Sequence, residues 1–151
     1  MERASDIVAV TRRRRGVTLL ELSVAIVIMG ILVAFVVPSF SQVIEQNRVD
    51  AATQYLRSLW SAERVYWLEN RTFTDDLGNL YALGLIDGKI AGGDDGFFLY
   101  GISNVTDEGF TVTAIRNGST VWSGTLTITQ DGEVSGFVSG SGANVLTPPD
   151  I

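Results

Sequence analysis

The distribution of apolar residues changes sharply along this chain. From Leu22 to Val37 the sequence runs LSVAIVIMGILVAFVV without a charged residue. Extended to residues 17–40, this segment would form a helix of roughly 36 Å, whereas a bilayer core is roughly 30 Å thick. The pattern therefore predicts a membrane-spanning helix over residues 17–40, in which Glu21 is the only charged residue.

A second, amphipathic pattern follows this apolar segment. Apolar residues recur at helical spacing at Phe40, Ile44, Ala51, Tyr55, Leu59, Ala62 and Tyr66. The charged residues Glu45, Arg48, Asp50, Arg57 and Arg64 fall between them. This spacing predicts one continuous helix of about 50 residues from Val17, whose second half packs on a globular head.

The rest of the chain predicts a short helix and then strands. Thr74-Asp75-Asp76 resembles an N-cap for a helix that carries Leu77, Leu80 and Leu83 and stops at Gly84. Four β-rich segments follow, over Phe97–Ser103, Phe110–Arg116, Thr120–Thr129 and Glu133–Val138. Asn117-Gly118 and Asp131-Gly132 predict type I′ hairpin turns between them. The fold class expected is α+β, with a long N-terminal helix packed on an antiparallel sheet of about four strands.

Charge is divided unevenly along the chain. Arg3 and the run Arg12–Arg15 make residues 1–16 basic, whereas residues 17–151 carry six Lys or Arg and fifteen Asp or Glu, a net charge of −9. The basic run should stay cytoplasmic, so the head should lie across the membrane. An acidic head disfavours broad nucleic-acid binding, and no nucleic-acid partner is expected.

The residue types present exclude several classes of chemistry. The chain has no Cys and no His, so a disulfide framework, a zinc site with Cys or His ligands and a His-based catalytic triad are excluded. No phosphate-binding loop or nucleophile elbow is present either. We therefore expect no cofactor and no enzymatic activity.

The segment before the apolar helix resembles a known processing site. Arg14-Arg15-Gly16-Val17-Thr18-Leu19-Leu20-Glu21 is similar to the cleavage region of type IV prepilins and type II secretion pseudopilins. The resemblance implies that prepilin peptidase removes the basic leader, residues 1–16, by cutting between Gly16 and Val17, and methylates the new amine. It also implies that residues 17–40 form a transmembrane and filament-core helix, with residues 41–151 as the head.

The same resemblance implies roles for three residues of the helix. Glu21 would neutralise the amine of Val17 on a neighbouring subunit; alternatively, Glu21 lies at the headgroup level, where the helix dipole favours an acidic group. Gly30 and Pro38 would mark a segment that stretches or melts on assembly. Alternatively, Gly30 packs against another helix and Pro38 only bends the stem.

The function expected is that of a structural subunit of a type IV pilus-like filament, drawn from an inner-membrane pool. The alternatives are a type II secretion pseudopilin, a minor pilin with an adhesive or DNA-uptake role, and a single-span anchored receptor or enzyme. The expected partners are homologous pilin subunits, prepilin peptidase, the pilus or secretion assembly machinery with its separate ATPase, and the inner membrane. The subunit would be single-pass with a periplasmic head, and later part of a surface pilus or a periplasmic pseudopilus.

Three further features each allow two interpretations. Asp94 and Asp95, among glycines, could bind Ca²⁺ or form a solvated turn. Trp60 and Trp67 could stack on a ligand or belong to the core. The arginines spaced along the amphipathic helix could form a local DNA-binding stripe or merely solvate that helix; they are Arg48, Arg57, Arg64 and Arg71. The C-terminal segment from Ser139, rich in Gly, Ser and Pro, is expected to be loosely held.

Overall fold

A computed structural model describes residues 17–142 and 144–149, apart from the side chains of residues 35–39. These residues fall into two compact units, divided between Ser39 and Phe40. The longest element is helix α1, Leu19–Asn70, which confirms the predicted long N-terminal helix. It ends where Arg71 adopts a left-handed conformation, with φ of 59°, because an α-helix cannot continue through such a residue.

The head-side half of α1 buries a different set of residues from the one predicted. Leu59 and Ala62 are buried as expected, but Phe40, Ile44 and Ala51 are exposed. The buried face is instead formed by Glu45, Val49, Ala52, Thr53, Leu56, Leu59, Ala62 and Glu63. The prediction was wrong because it placed Glu45 on the polar side, whereas partners from the head allow this carboxylate to be buried.

Two short helices connect α1 to the sheet. Helix α2, Leu77–Ala82, is capped by Asp76, whose Oδ1 accepts a hydrogen bond of 2.8 Å from the amide of Gly78. Gly84, just beyond its end, has φ of +69°, which agrees with the predicted stop. Helix α3, Gly88–Ala91, is capped by Asp87. The sequence pattern did not predict α3, because a single turn is too short to show a helical period.

The sheet is an antiparallel meander in the order β1-β2-β3-β4-β5. Its strands are β1 Phe98–Ser103, β2 Thr111–Arg116, β3 Ser123–Thr129, β4 Val134–Ser139 and β5 Val145–Leu146. The four predicted strands are confirmed, and β5 is added. Because β5 pairs with β4 and the carbonyl of Thr147 accepts a hydrogen bond from Gln46, the described C-terminal residues are tied to the head.

The two predicted turn segments do connect strands, but neither is a type I′ turn. That turn needs positive φ at both central residues. Among the described residues, positive φ occurs at Gly118 and Gly132 but not at Asn117 or Asp131. The β2–β3 connection is longer than two residues, and the side chain of Ser119 accepts hydrogen bonds from the amides of Val121 and Trp122 within it.

Two glycines, one on β3 and one on β4, leave no room for a side chain beside the neighbouring strand. A Cβ atom added to Gly136, where φ is +104°, would lie 2.2 Å from the carbonyl oxygen of Thr125. One added to Gly124 would lie 2.2 Å from the carbonyl oxygen of Phe137. No real side chain is tolerated at such distances, so both positions require glycine.

The head has a single apolar core between α1 and the inner face of the sheet. Residues from α1, from the two short helices and from all four long strands contribute to it. Its largest fully buried apolar side chains are Phe98, Leu56, Leu59, Leu80, Ile90, Leu126 and Ile128. The sheet presents its other face outward, as expected for an antiparallel sheet covered on one side.

Candidate functional site

The start of α1 has well-defined capping geometry. The amide of Glu21 donates to Oγ1 of Thr18 at 3.2 Å, and the amide of Leu22 donates to the carbonyl of Thr18 at 3.1 Å. Thr18 therefore caps the helix, and the Thr18–Glu21 spacing is that of a capping box. Glu21 lies exposed in the first turn, where the helix dipole favours a negative charge.

The helical segment after this cap is apolar on every side. The large apolar side chains between Val17 and Val33 are between 50% and 87% exposed. Ser23 satisfies its hydroxyl locally by donating to the carbonyl of Leu20 at 2.8 Å. A helix that is apolar all round is found where other apolar groups cover it, and none of the described residues in the unit that contains it does so.

The remaining predicted site residues are placed as follows. Val17 immediately precedes Thr18 and is 72% exposed. A Cβ atom added to Gly30 would meet nothing within 4 Å, so no contact within the described chain requires glycine there. Gly16 lies outside the described residues, and so does the side chain of Pro38, whose backbone is helical. The described part of the chain contains no helix that is both long and apolar enough to cross a membrane.

Comparison with known proteins bears on this segment first. Residues 11–37 match the model of the prokaryotic N-terminal methylation motif. A type IV wide pilus major component from Thermus thermophilus is 25% identical over 111 residues, which cover 74% of this chain and 80% of that protein. A match of this length must include residues of the head. Together these matches support a type IV pilin or pseudopilin.

Two further pilin-family relatives match over shorter segments. A type IV major pilin from Myxococcus xanthus is 32% identical over 63 residues, 42% of this chain and 29% of that protein. A type II secretion system core protein G from Pseudomonas aeruginosa is 35% identical over 72 residues, 48% of this chain and 51% of that protein. The match thus spans only about a third and about half of the lengths of these two relatives. No solved structure matches the chain significantly.

The head contains a buried ion pair that the sequence pattern did not reveal. Nε of Arg116 contacts Oε1 of Glu45, and Nη2 of Arg116 lies 3.2 Å from Oε2. Both side chains are about 2% exposed or less. Nη1 of Arg116 also donates to the carbonyl of Phe97 at 2.8 Å, and Arg48 lies 2.8 Å from Glu45. The pair therefore joins α1 to β2 and to the start of β1.

A second buried carboxylate lies further along α1, toward its C-terminal end. Glu63 is fully buried; its Oε2 accepts a hydrogen bond of 3.1 Å from the amide of Thr74, while Oε1 has no hydrogen-bond partner. Burial raises the pKa of Glu63 from 4.5 to about 7; the Thr74 bond opposes this shift, and the charge of Asp75 adds to it. Glu63 thus holds the connection between α1 and α2.

The two aspartates considered for calcium organise a turn. Oδ1 of Asp95 accepts hydrogen bonds from the amides of Phe97 and Phe98, and Oδ2 accepts one from the hydroxyl of Tyr100 at 2.9 Å. Oδ1 of Asp94 accepts one from Gly96 at 2.7 Å. Among the described residues no group of three or more acidic, His or Cys side chains could hold a metal ion.

The aromatic and basic residues of α1 contact each other. Trp60 and Trp67 are half-buried, and Trp60 donates to the carbonyl of Gln130 at 3.0 Å. Arg64 lies over the Trp60 ring at 4.7 Å, and Arg71 lies over the Trp67 ring at 5.2 Å. These two guanidinium groups therefore cover aromatic surface.

Removing one partner of the Glu45–Arg116 pair should destabilise the head strongly. We expect a fragment of residues 42–151 to unfold cooperatively, and Arg116→Met to lower its free energy of unfolding by about 3 kcal/mol or more, because Glu45 would be left buried and largely uncompensated. The double variant Glu45→Leu/Arg116→Met should recover much of this loss. Urea unfolding measures the free energies of both variants. If Arg116→Met lies within about 0.5 kcal/mol of the unchanged fragment, the pair contributes no more than an exposed ion pair does, and the prediction is wrong.

The stability of the same fragment should depend on pH through Glu63. Between pH 4.5 and about 7 the folded state retains a proton that the unfolded chain has released, so stability falls as pH rises through this window, by up to roughly 3 kcal/mol. Glu63→Gln, which stays neutral, should remove this slope. The measurement is the difference in unfolding free energy between the two proteins at several pH values; parallel curves would show that Glu63 does not titrate there.

Proposed function

We propose that this chain is a structural subunit of a type IV pilus-like filament, assembled from an inner-membrane pool after residues 1–16 have been removed. The observation that carries the proposal is the N-terminal segment. A basic run precedes a helix that is apolar on every side and carries one carboxylate, Glu21, in its first turn. This helix needs cover, which a bilayer supplies before assembly and neighbouring copies supply afterwards.

The charge of Glu21 can set the position of one helix along its neighbour in the filament. A free amine at Val17 would lie in an otherwise apolar environment once copies pack together, and an unpaired charge there is costly. The carboxylate of Glu21 on a neighbouring copy is the group in this segment that can neutralise it. Cleavage after Gly16, which creates that amine, is therefore part of the same proposal, with prepilin peptidase as the enzyme responsible.

A type II secretion pseudopilin is the second candidate, because one relative bears a type II secretion name. Both candidates use the same N-terminal helix in a filament and require separate assembly machinery. In both the chain acts as a building unit and not as an enzyme. The Thermus relative, named as a wide pilus major component, is matched over more of its length than the Pseudomonas relative, which favours the pilus.

The first test concerns the mature N-terminus. In a host with prepilin peptidase, mass spectrometry of the membrane fraction should find a chain that begins at Val17 with a methylated amine. Arg15→Ala should leave this terminus unchanged, whereas Gly16→Leu should block its formation, because a large side chain at the cleaved bond hinders peptidase access. A mature chain that still begins at Met1 would overturn the proposal.

The second test separates insertion from assembly. Glu21→Val makes the helix more apolar, so the amount of membrane-inserted monomer should stay the same or rise. Filaments recovered by shearing should fall by about tenfold or more, because the amine of Val17 loses its partner. Ser23→Val is the matched control, since it removes a polar group two residues away whose only described bond is local. Equal filament yields for both variants would assign Glu21 to the membrane interface alone.

A further inference from the structure

The outer face of the sheet carries no charge. The register of β1–β5 places alternate strand residues on this face, and none of these described strand positions is acidic or basic. Most of them are Thr or Ser, for example Thr113 and Thr127, which face each other across β2 and β3. Solvent-facing strands more often carry charged side chains, which protect a sheet surface from association.

An apolar row crosses this face. The register aligns Leu99 with Ile115, Ile115 with Thr125 and Thr125 with Phe137. Its three apolar residues, Leu99, Ile115 and Phe137, are 40%, 48% and 53% exposed, respectively. Val145 on β5 is 57% exposed and extends the apolar surface beyond β4.

Three of the hydroxyl groups beside this row are already bonded within the face. Oγ1 of Thr113 donates to the carbonyl of Gly101 at 3.3 Å, and the hydroxyls of Thr127 and Ser135 lie 2.9 Å apart. A hydroxyl with a partner loses less on leaving water than a free one. Covering this face therefore costs little desolvation of polar groups and no desolvation of charge.

A second uncharged surface lies at α2. The segment Leu77–Gly84 contains no charged residue, and it exposes Tyr81 by 53% and Leu83 by 47%. In a filament each copy contacts the next through two different surfaces, because only such a contact can propagate. The outer sheet face and this α2 patch are two such surfaces on one head.

Charge decides which occupant suits the sheet face. Residues 17–151 carry a net charge of −9, so two heads repel wherever carboxylates meet. Aspartates 75, 76 and 87 flank the α2 patch, and a face without carboxylates can approach them without like-charge repulsion. We propose that the outer sheet face of one copy docks on the α2 patch of a neighbouring copy. This inference rests on the proposed filament function.

The test uses the absence of cysteine from the chain. The double variant Tyr81→Cys/Ile115→Cys, treated as intact filaments with a short bifunctional thiol reagent, should give a ladder of linked multimers. Each single variant should give monomer only. Dimers from Ile115→Cys alone would show two sheet faces packed on each other, and filaments without any ladder would also overturn the docking while leaving the filament function standing.

A second series keeps the inference testable if cysteine at these positions prevents assembly. Ile115→Glu should lower filament yield by about tenfold or more, because its charge would be buried at the contact beside the aspartates of the α2 patch. Ile115→Lys should lower the yield less, because those aspartates partly compensate its charge. Ser141→Lys and Ser141→Glu, at an exposed turn outside both surfaces, should change it little. Unchanged yields for the Ile115 variants would refute the docking, whereas a wild-type chain that forms no filament would refute the proposed function itself.

Discussion

The buried pair between Glu45 and Arg116 is the contact on which the architecture of the head depends. It fixes the rotation of α1 about its own axis, since Glu45 can be buried only where Arg116 reaches it. It also fixes where β2 lies along the helix, because Arg116 is a residue of β2. The same guanidinium binds the carbonyl of Phe97, just before β1. The apolar residues that follow on α1 then meet the inner face of the sheet. Hydrophobic burial supplies most of the stability, but this pair selects the geometry in which it occurs.

The N-terminal unit obeys a different constraint. Its surface is apolar in every direction, so no single packing direction is encoded in it, and its charged and capping groups gather at one end. The head, by contrast, concentrates its ionic contacts on α1 and leaves the outer sheet face neutral. The chain thus combines an N-terminal helical segment whose apolar side chains are exposed with a head that folds around its own apolar core.

The sequence predicted most of what depends on repeating patterns. The long helix, the four main strands and the position of α2 follow from hydrophobic period and turn residues. The N-terminal motif indicated the resemblance to type IV pilins and pseudopilins. The rotation of α1 could not be predicted, because a period of apolar residues treats Glu45 as polar, and only its distant partner Arg116 makes its burial possible. The same holds for Glu63, whose partner is a backbone amide at Thr74. The strand β5 and the helix α3 were missed because both are too short to show a period.

The lack of room for a side chain at Gly124 and Gly136 limits how the sheet can vary. A Cβ atom at either position would clash with the backbone of the neighbouring strand, so both must remain glycine whichever residues point outward beside them. Substitution is therefore easier at outward-facing positions such as Thr125 and Thr127. Over evolutionary time the chemistry of the outer sheet face can diverge between relatives, together with the surface it contacts, while these two glycines stay fixed.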